Sequence, residues 1–138
     1  MSDLGFTHIA LEITDPERTI AFYEKYAGMK VVHRRRVEGS DGEALWMSDL
    51  TRPFVIVFIK LETVNAPLHP WAHMGVACAS REEVDQLCDL AREEGVLLDG
   101  PTQSPPPVGY WAFLRDPDGH TLELSFGQEV ALTVSEAH

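Results

Sequence analysis

Two stretches of this chain run through the same order of elements. THIALEITDPERTIAFYEKYAGMKVV aligns with AHMGVACASREEVDQLCDLAREEGVLL. His8 falls on His73 and Asp15 on Ser80, both at a separation of 65, and Trp46 and Trp111 differ by the same 65. Two residues must be inserted before the glycine that ends the second helix. Few letters agree; what repeats is the sequence of patterns. A repeat of this length fixes architecture before any single residue does. It predicts two units of one topology, with His8 and His73 at matching places on matching strands.

Within the first unit, residues 5–14 alternate with period two. Phe6, His8, Ala10 and Glu12 share one face, and Ile9, Leu11 and Ile13 the other. Thr14 or Asp15 can cap a helix, with Pro16 in its first turn. Ile20, Phe22, Tyr23 and Tyr26 give that helix its apolar spacing, and Gly28 its stop. Strands are expected at Met29–Val37, Ala44–Met47 and Phe54–Lys60, the last almost wholly apolar and therefore central. Residues 65–71, NAPLHPW, break the pattern with two prolines and an asparagine, as a linker does.

The pattern then returns, with a strand at 72–77. Ser80 and Glu83 have the spacing of a capping box. Val84, Leu87, Cys88 and Ala91 form a helical apolar face that Gly95 ends. Val96–Leu98 reads as a short strand and Gly100–Pro107 as a proline-rich loop. The chain closes on YWAFLRDPDGHTLELSF, a strand, a tight turn at Asp116-Pro117-Asp118-Gly119 and a second strand. In that last strand Leu122, Leu124 and Phe126 share one face, leaving Glu123 on the other.

A chain of 138 residues, 44% apolar and 24% charged, suits one domain with a real core. A formal net charge of −11 excludes a broad basic surface for nucleic acid, and Arg34-Arg35-Arg36 is too short a run to supply one. There is no apolar run of membrane-spanning length and no secretory pattern at the N-terminus, so the expectation is a cytoplasmic protein without a membrane partner. Cys78 and Cys88 read as reduced, buried thiols.

The duplicated strand-helix-three-strand unit, a histidine near the start of each unit and the closing DPDGHTLEL together resemble the vicinal oxygen chelate superfamily. That group includes glyoxalase I, fosfomycin-modifying transferases, extradiol dioxygenases, methylmalonyl-CoA epimerase and bleomycin-resistance proteins. The resemblance covers roughly residues 5–127, with unit 1 at about 5–62, a linker at 63–71, unit 2 at about 72–127 and a C-terminal tail at 128–138. It implies an α+β fold: two βαβββ units in a curved, mostly antiparallel eight-stranded half-barrel platform, helices outside. Carried over by position, it implies that His8, His73 and Glu123 hold a divalent metal ion. Two imidazoles and a carboxylate suit Fe, Mn, Ni or Zn and leave positions open for a substrate's oxygens. It also implies a small-molecule substrate and a homodimer, with units that can exchange between chains.

Departures from subfamily patterns narrow the function. Glyoxalase I-like members carry a fourth ligand, Glu or Gln, on the last strand of the first unit. Here Val57 stands opposite Glu123, or Phe58 if the register slips by one, and no acid or amide lies between Phe54 and Ile59. Dioxygenase patterns place a tyrosine where Phe113 stands, and residues 100–112 contain no histidine. Fosfomycin-type enzymes carry several basic groups, which this acidic chain lacks near the ligands. Two functions stay open: a metal-dependent enzyme acting on a small oxygenated metabolite, by lyase, dioxygenase or transferase chemistry, and a metal-free binding protein of the bleomycin-resistance type.

Other polar residues have structural readings beside functional ones. His69 is either an acid or base over the cleft or an exposed loop residue. Tyr110 either meets substrate or packs in the hairpin. Glu12 shares a face with His8 and is a candidate to orient an imidazole. His120 is expected to be exposed, and neither His33 nor His138 has a partner in sequence.

Overall fold

The computed structural model describes residues 2–137, so His138 lies outside the described residues. In order, the elements are β1 (His8–Ile13), α1 (Pro16–Ala27), β2 (Lys30–Arg36), β3 (Glu43–Ser48), β4 (Val55–Lys60), β5 (Met74–Ala77), α2 (Arg81–Glu93), β6 (Leu97–Ser104), β7 (Gly109–Arg115), β8 (Thr121–Phe126) and α3 (Val130–Ser135). The eight strands form two four-stranded sheets, ordered β1-β4-β3-β2 and β5-β8-β7-β6. The repeat is therefore exact in topology. In each sheet the outer pair, β1 with β4 or β5 with β8, is parallel, and the other two pairs are antiparallel. The chain divides into two compact units between Pro67 and Leu68, inside the expected linker. No described helix is long and apolar enough to cross a membrane.

In unit 1, Asp15 caps α1 by accepting from the Glu17 and Arg18 amides at 3.1 and 3.2 Å, and Pro16 opens the helix. Gly28 ends it in the left-handed conformation, φ 62°. Phe22, Tyr23 and Tyr26 are buried against Leu11, Ile13, Leu45, Met47, Ile56 and Phe58 on one face of the sheet. Each such side chain taken from water contributes about 1.5–3 kcal/mol. Tyr23 and Phe58 stack with centroids 5.0 Å apart. As its apolar run predicts, β4 is an inner strand. β1 is shorter than the alternation suggested, and Phe6, ahead of it, is 90% exposed.

The Glu12 carboxylate accepts from the Asn65 and Ala66 amides at 2.7 and 2.9 Å, fixing the chain beyond β4. Arg34 bridges Glu17 and Glu43, each at 2.7 Å, and His33 packs edge-on against Trp46.

In unit 2, Ser80 caps α2, and Val84, Cys88 and Ala91 are buried on the sheet with Ala112, Leu114, Leu122 and Leu124. Burial pushes the Cys78 thiol up to about 12 and the Cys88 thiol up to about 11. One expectation fails here. The proline-rich loop at 100–107 is largely strand: β6 runs eight residues to Ser104, absorbing Gly100 and Pro101 through register shifts that bulge it against β7. Within the tail, Val130–Ser135 forms α3.

His120 is fully buried, not exposed. Its Nδ1 accepts from the Leu68 amide at 2.9 Å, and the Thr121 amide donates to the Leu68 carbonyl at 2.8 Å. The closing turn thereby holds the start of unit 2. Asp116 builds the turn by accepting from the Asp118 and His120 amides.

Candidate functional site

Strand alternation assigns one face of the second sheet to the helix and leaves the other open. Glu123 pairs with Gly75 on one side and Phe113 on the other, and Phe113 pairs with Asp99. The four form a row across the open face, with Trp111 and Ser125 in the next row. Glu123 is thus the charged member, between Thr121 and Ser125, of the face opposite Leu122 and Leu124, which are fully buried beneath the helix. Pro70, Trp71, Asp99, Ser104, Val108, Trp111, Phe113 and Glu123 line a cavity of about 540 Å³ on this face. Phe113 and Trp111 form its ring wall, centroids 4.9 Å apart, and the His73 ring lies beside that wall, 4.9 Å from Phe113. The Trp111 indole is locked by its N–H donating to Ser104 Oγ at 2.9 Å.

At one end of this wall His73 and Glu123 meet. The His73 Nδ1 lies 2.7 Å from the Trp71 carbonyl, which can only accept, so Nδ1 carries a proton. In the neutral ring Nε2 then bears a lone pair, and it faces Glu123 Oε1 at 3.4 Å. The other carboxylate oxygen, Oε2, accepts from Gln128 Nε2 at 2.8 Å. Two acceptors therefore point at each other across a gap longer than a direct charge-assisted hydrogen bond. Either a proton on Nε2, which makes the two an ion pair, or a metal ion between them reconciles the geometry. Two donors each about 2.0–2.2 Å from a shared ion lie roughly 3–3.5 Å apart, so the pair fits a divalent metal. Gly75, beside Glu123, puts no side chain on that flank; a Cβ there would lie 3.8 Å from Oε2.

Among the remaining sequence candidates, His8 belongs to unit 1, exposed at the start of β1 with its Nδ1 2.9 Å from the Thr7 hydroxyl. The structure brings His73 and Glu123 together. Among the described residues no group of three His, Cys, Asp or Glu side chains is placed to hold a metal ion. His69 is exposed and does not line the cavity. Tyr110 is a correction: it lies on the helix-facing side of β7, buried with Val84 and Cys88, donating to Asp85 and covered by the Arg81 guanidinium 3.8 Å above its ring. That bond to Asp85 holds the phenol above its ordinary value. Alternation alone separates Tyr110, Ala112 and Leu114 from Trp111 and Phe113.

The cross-strand register also settles the matching of units. Ala10 pairs with Val57 as Gly75 pairs with Glu123, so Val57, not Phe58, takes the place of Glu123 in unit 1. By the same register Trp46, paired with Val57, corresponds to Phe113 and not to Trp111. Sequence reasoning missed Asp99, which fell between the expected short strand and the expected loop, and Gln128, which fell in the expected tail.

A profile of the Glyoxalase/Bleomycin resistance protein/Dioxygenase superfamily matches residues 5–124. An uncharacterised protein of Pseudomonas aeruginosa is 38% identical over 125 residues, covering 88% of each chain. A lactoylglutathione lyase of Arabidopsis thaliana is 30% identical over 128 residues, which is 86% of this chain but only 43% of that relative. In structure, the fosfomycin resistance protein FosX of Listeria monocytogenes, solved with Mn(II) and a dihydroxypropylphosphonic acid, superposes with a TM-score of 0.71 over 96% of this chain and 99% of its own. At 18% identity that likeness speaks to the fold alone. Fold, repeat and profile agree: the chain belongs to the Glyoxalase/Bleomycin resistance protein/Dioxygenase superfamily, the vicinal oxygen chelate group.

Proposed function

We propose that this protein is a metal-dependent enzyme acting on a small oxygenated metabolite, with His73, Glu123 and His8 as its donors to one divalent ion. The observation that carries the reading is the facing pair of acceptors, His73 Nε2 and Glu123 Oε1, at the end of an aromatic-walled cavity. FosX, solved with Mn(II), supports a divalent ion in this fold. When bound, the ion would supply Lewis acidity to a substrate oxygen.

The chain's own residues do the rest. The Trp71 carbonyl sets the His73 ring, and Gln128 sets the Glu123 carboxylate. Phe113 and Trp111 hold the apolar part of a substrate and exclude water beside it. Val57 offers no carboxylate where Glu123's counterpart would stand. That turns the reading away from glyoxalase I-type isomerisation, the lyase relative notwithstanding, and toward addition to, or cleavage of, a chelated substrate. We infer a homodimer as well, supported by exposed Leu4, Phe6, Val31 and Val32, and a monomeric mass at micromolar concentration contradicts it.

The largely apolar cavity lining favours a second reading, a metal-free protein that sequesters a small molecule. Elemental analysis of protein purified without added metal separates the two. The enzyme reading expects a stoichiometric divalent ion, lost in Glu123→Gln, with the variant unfolding at the midpoint of the metal-free wild type. Wild-type protein that stays metal-free after incubation with Mn, Fe, Ni and Zn salts overturns it.

A further inference from the structure

The cavity's polar groups are unequally engaged. Ser104 Oγ takes the Trp111 N–H, and Glu123 is shared by Gln128 and His73. The Asp99 carboxylate makes no hydrogen bond or ion pair among the described residues, although it lines the cavity. No Lys or Arg lines it either. Arg115, which shares that face of β7, instead reaches the Gly95 carbonyl at 3.5 Å.

Asp99, Phe113 and Glu123 stand in register on three adjacent strands. With neighbouring strands about 4.8 Å apart, the two carboxylates are roughly 10 Å from each other, the Phe113 ring between them. Trp111 continues that ring surface along β7, and Trp71, 83% exposed, stands at the margin of the cavity. A cavity of about 540 Å³ has room for a flat two-ring body lying over Phe113 and reaching from one carboxylate to the other.

We propose that the cavity selects a planar aromatic ligand that is neutral or cationic, seated against Phe113 and Trp111 with its cationic or hydrogen-donating group on Asp99, and that it rejects anionic analogues. The proposal rests on the cavity being the ligand site of the reading above, and it names the substrate class that site takes. Aromatic faces attract both flat rings and cations. An unpaired carboxylate at the far end adds a charge-assisted bond for a donor and repulsion for an acid.

The test is calorimetric titration of the full-length protein as purified with three probes of one ring system: naphthylmethylammonium, naphthylmethanol and naphthalene sulfonate. Sulfonate is a poor ligand for divalent ions, so it reads cavity charge and not coordination. The ammonium is expected to bind at least about tenfold more tightly than the sulfonate. Asp99→Asn should collapse that preference, weakening the ammonium most and naphthylmethanol, which loses only the charge assistance to its hydroxyl, by less. Phe113→Ala should weaken all three probes together. The proposal is overturned if the sulfonate binds as well as the ammonium, if none of the probes binds, or if Asp99→Asn keeps the full preference. Metal content measured on the same samples keeps the two ideas apart. An ion without charge selection sinks this inference alone, and charge selection without an ion sinks the metal reading alone.

Discussion

Gly100 and Gly95 both have positive φ, +91° and +73°, but their surroundings differ. A Cβ built on Gly95 meets nothing within 4 Å. One built on Gly100 lies 2.7 Å from the Trp111 carbonyl oxygen and 2.9 Å from the Ala112 Cα. Those are backbone atoms of β7, so no rotamer change relieves the contact. Alanine in the left-handed region costs about 1–2 kcal/mol, partly offset by about 0.4–1 kcal/mol from a less flexible unfolded chain. Gly95→Ala should therefore cost about 0.5–1 kcal/mol. Gly100→Ala carries the same strain plus about 1–3 kcal/mol of overpacking against β7, for a total of about 1.5–4 kcal/mol. Urea unfolding of the two variants measures the difference directly, with an unchanged m-value expected for both. If the two lose stability equally, within about 0.5 kcal/mol, the close approach of β6 to β7 is wrong. The placement of Asp99, one residue before this glycine, falls with it.

Helix α1 rests on its cap: Asp15→Ala leaves the Glu17 and Arg18 amides unpaired and should lower stability by about 1 kcal/mol in the same urea assay, whereas Asp15→Asn should lose much less. The thiols set an alkaline limit. Burial raises the folded-state values of Cys88 and Cys78 to about 11 and 12, so their contribution is fully present below the ordinary thiol range near 9.0 and is lost as pH climbs toward those values. Tyr110, also raised, acts in the same direction. The urea midpoint should fall steadily as pH rises above about 9 toward 11, and a flat profile contradicts the buried, free thiols.

Much of the fold was legible because its two signals are periodic. Alternation marked β1 and β8, a nearly continuous apolar run marked β4, and 3.6-residue spacing with caps at Asp15 and Ser80 marked both long helices. The repeat supplied the topology. β6 escaped because Gly100 and Pro101 are loop residues by composition, and only pairing with β7 makes them strand. His120 escaped because what buries it is a backbone amide 52 residues earlier, at Leu68. Of the candidate site, the side of β8 on which Glu123 stands was readable from Leu122 and Leu124, and the strand equivalence of the histidines from the repeat. Asp99, Gln128 and the ring wall were not, because they depend on which residues meet across strands.

Cobalt(II) binding to the wild-type protein and to His8→Ala, His73→Ala and Glu123→Gln, followed by equilibrium dialysis, bears most directly on the central claim. The account predicts one ion per chain in the wild type and an affinity at least about tenfold weaker in each variant, since even the partners of metal ligands cost that much when removed. Wild-type protein that binds no cobalt, or His73→Ala and Glu123→Gln variants that bind it as the wild type does, contradicts the account.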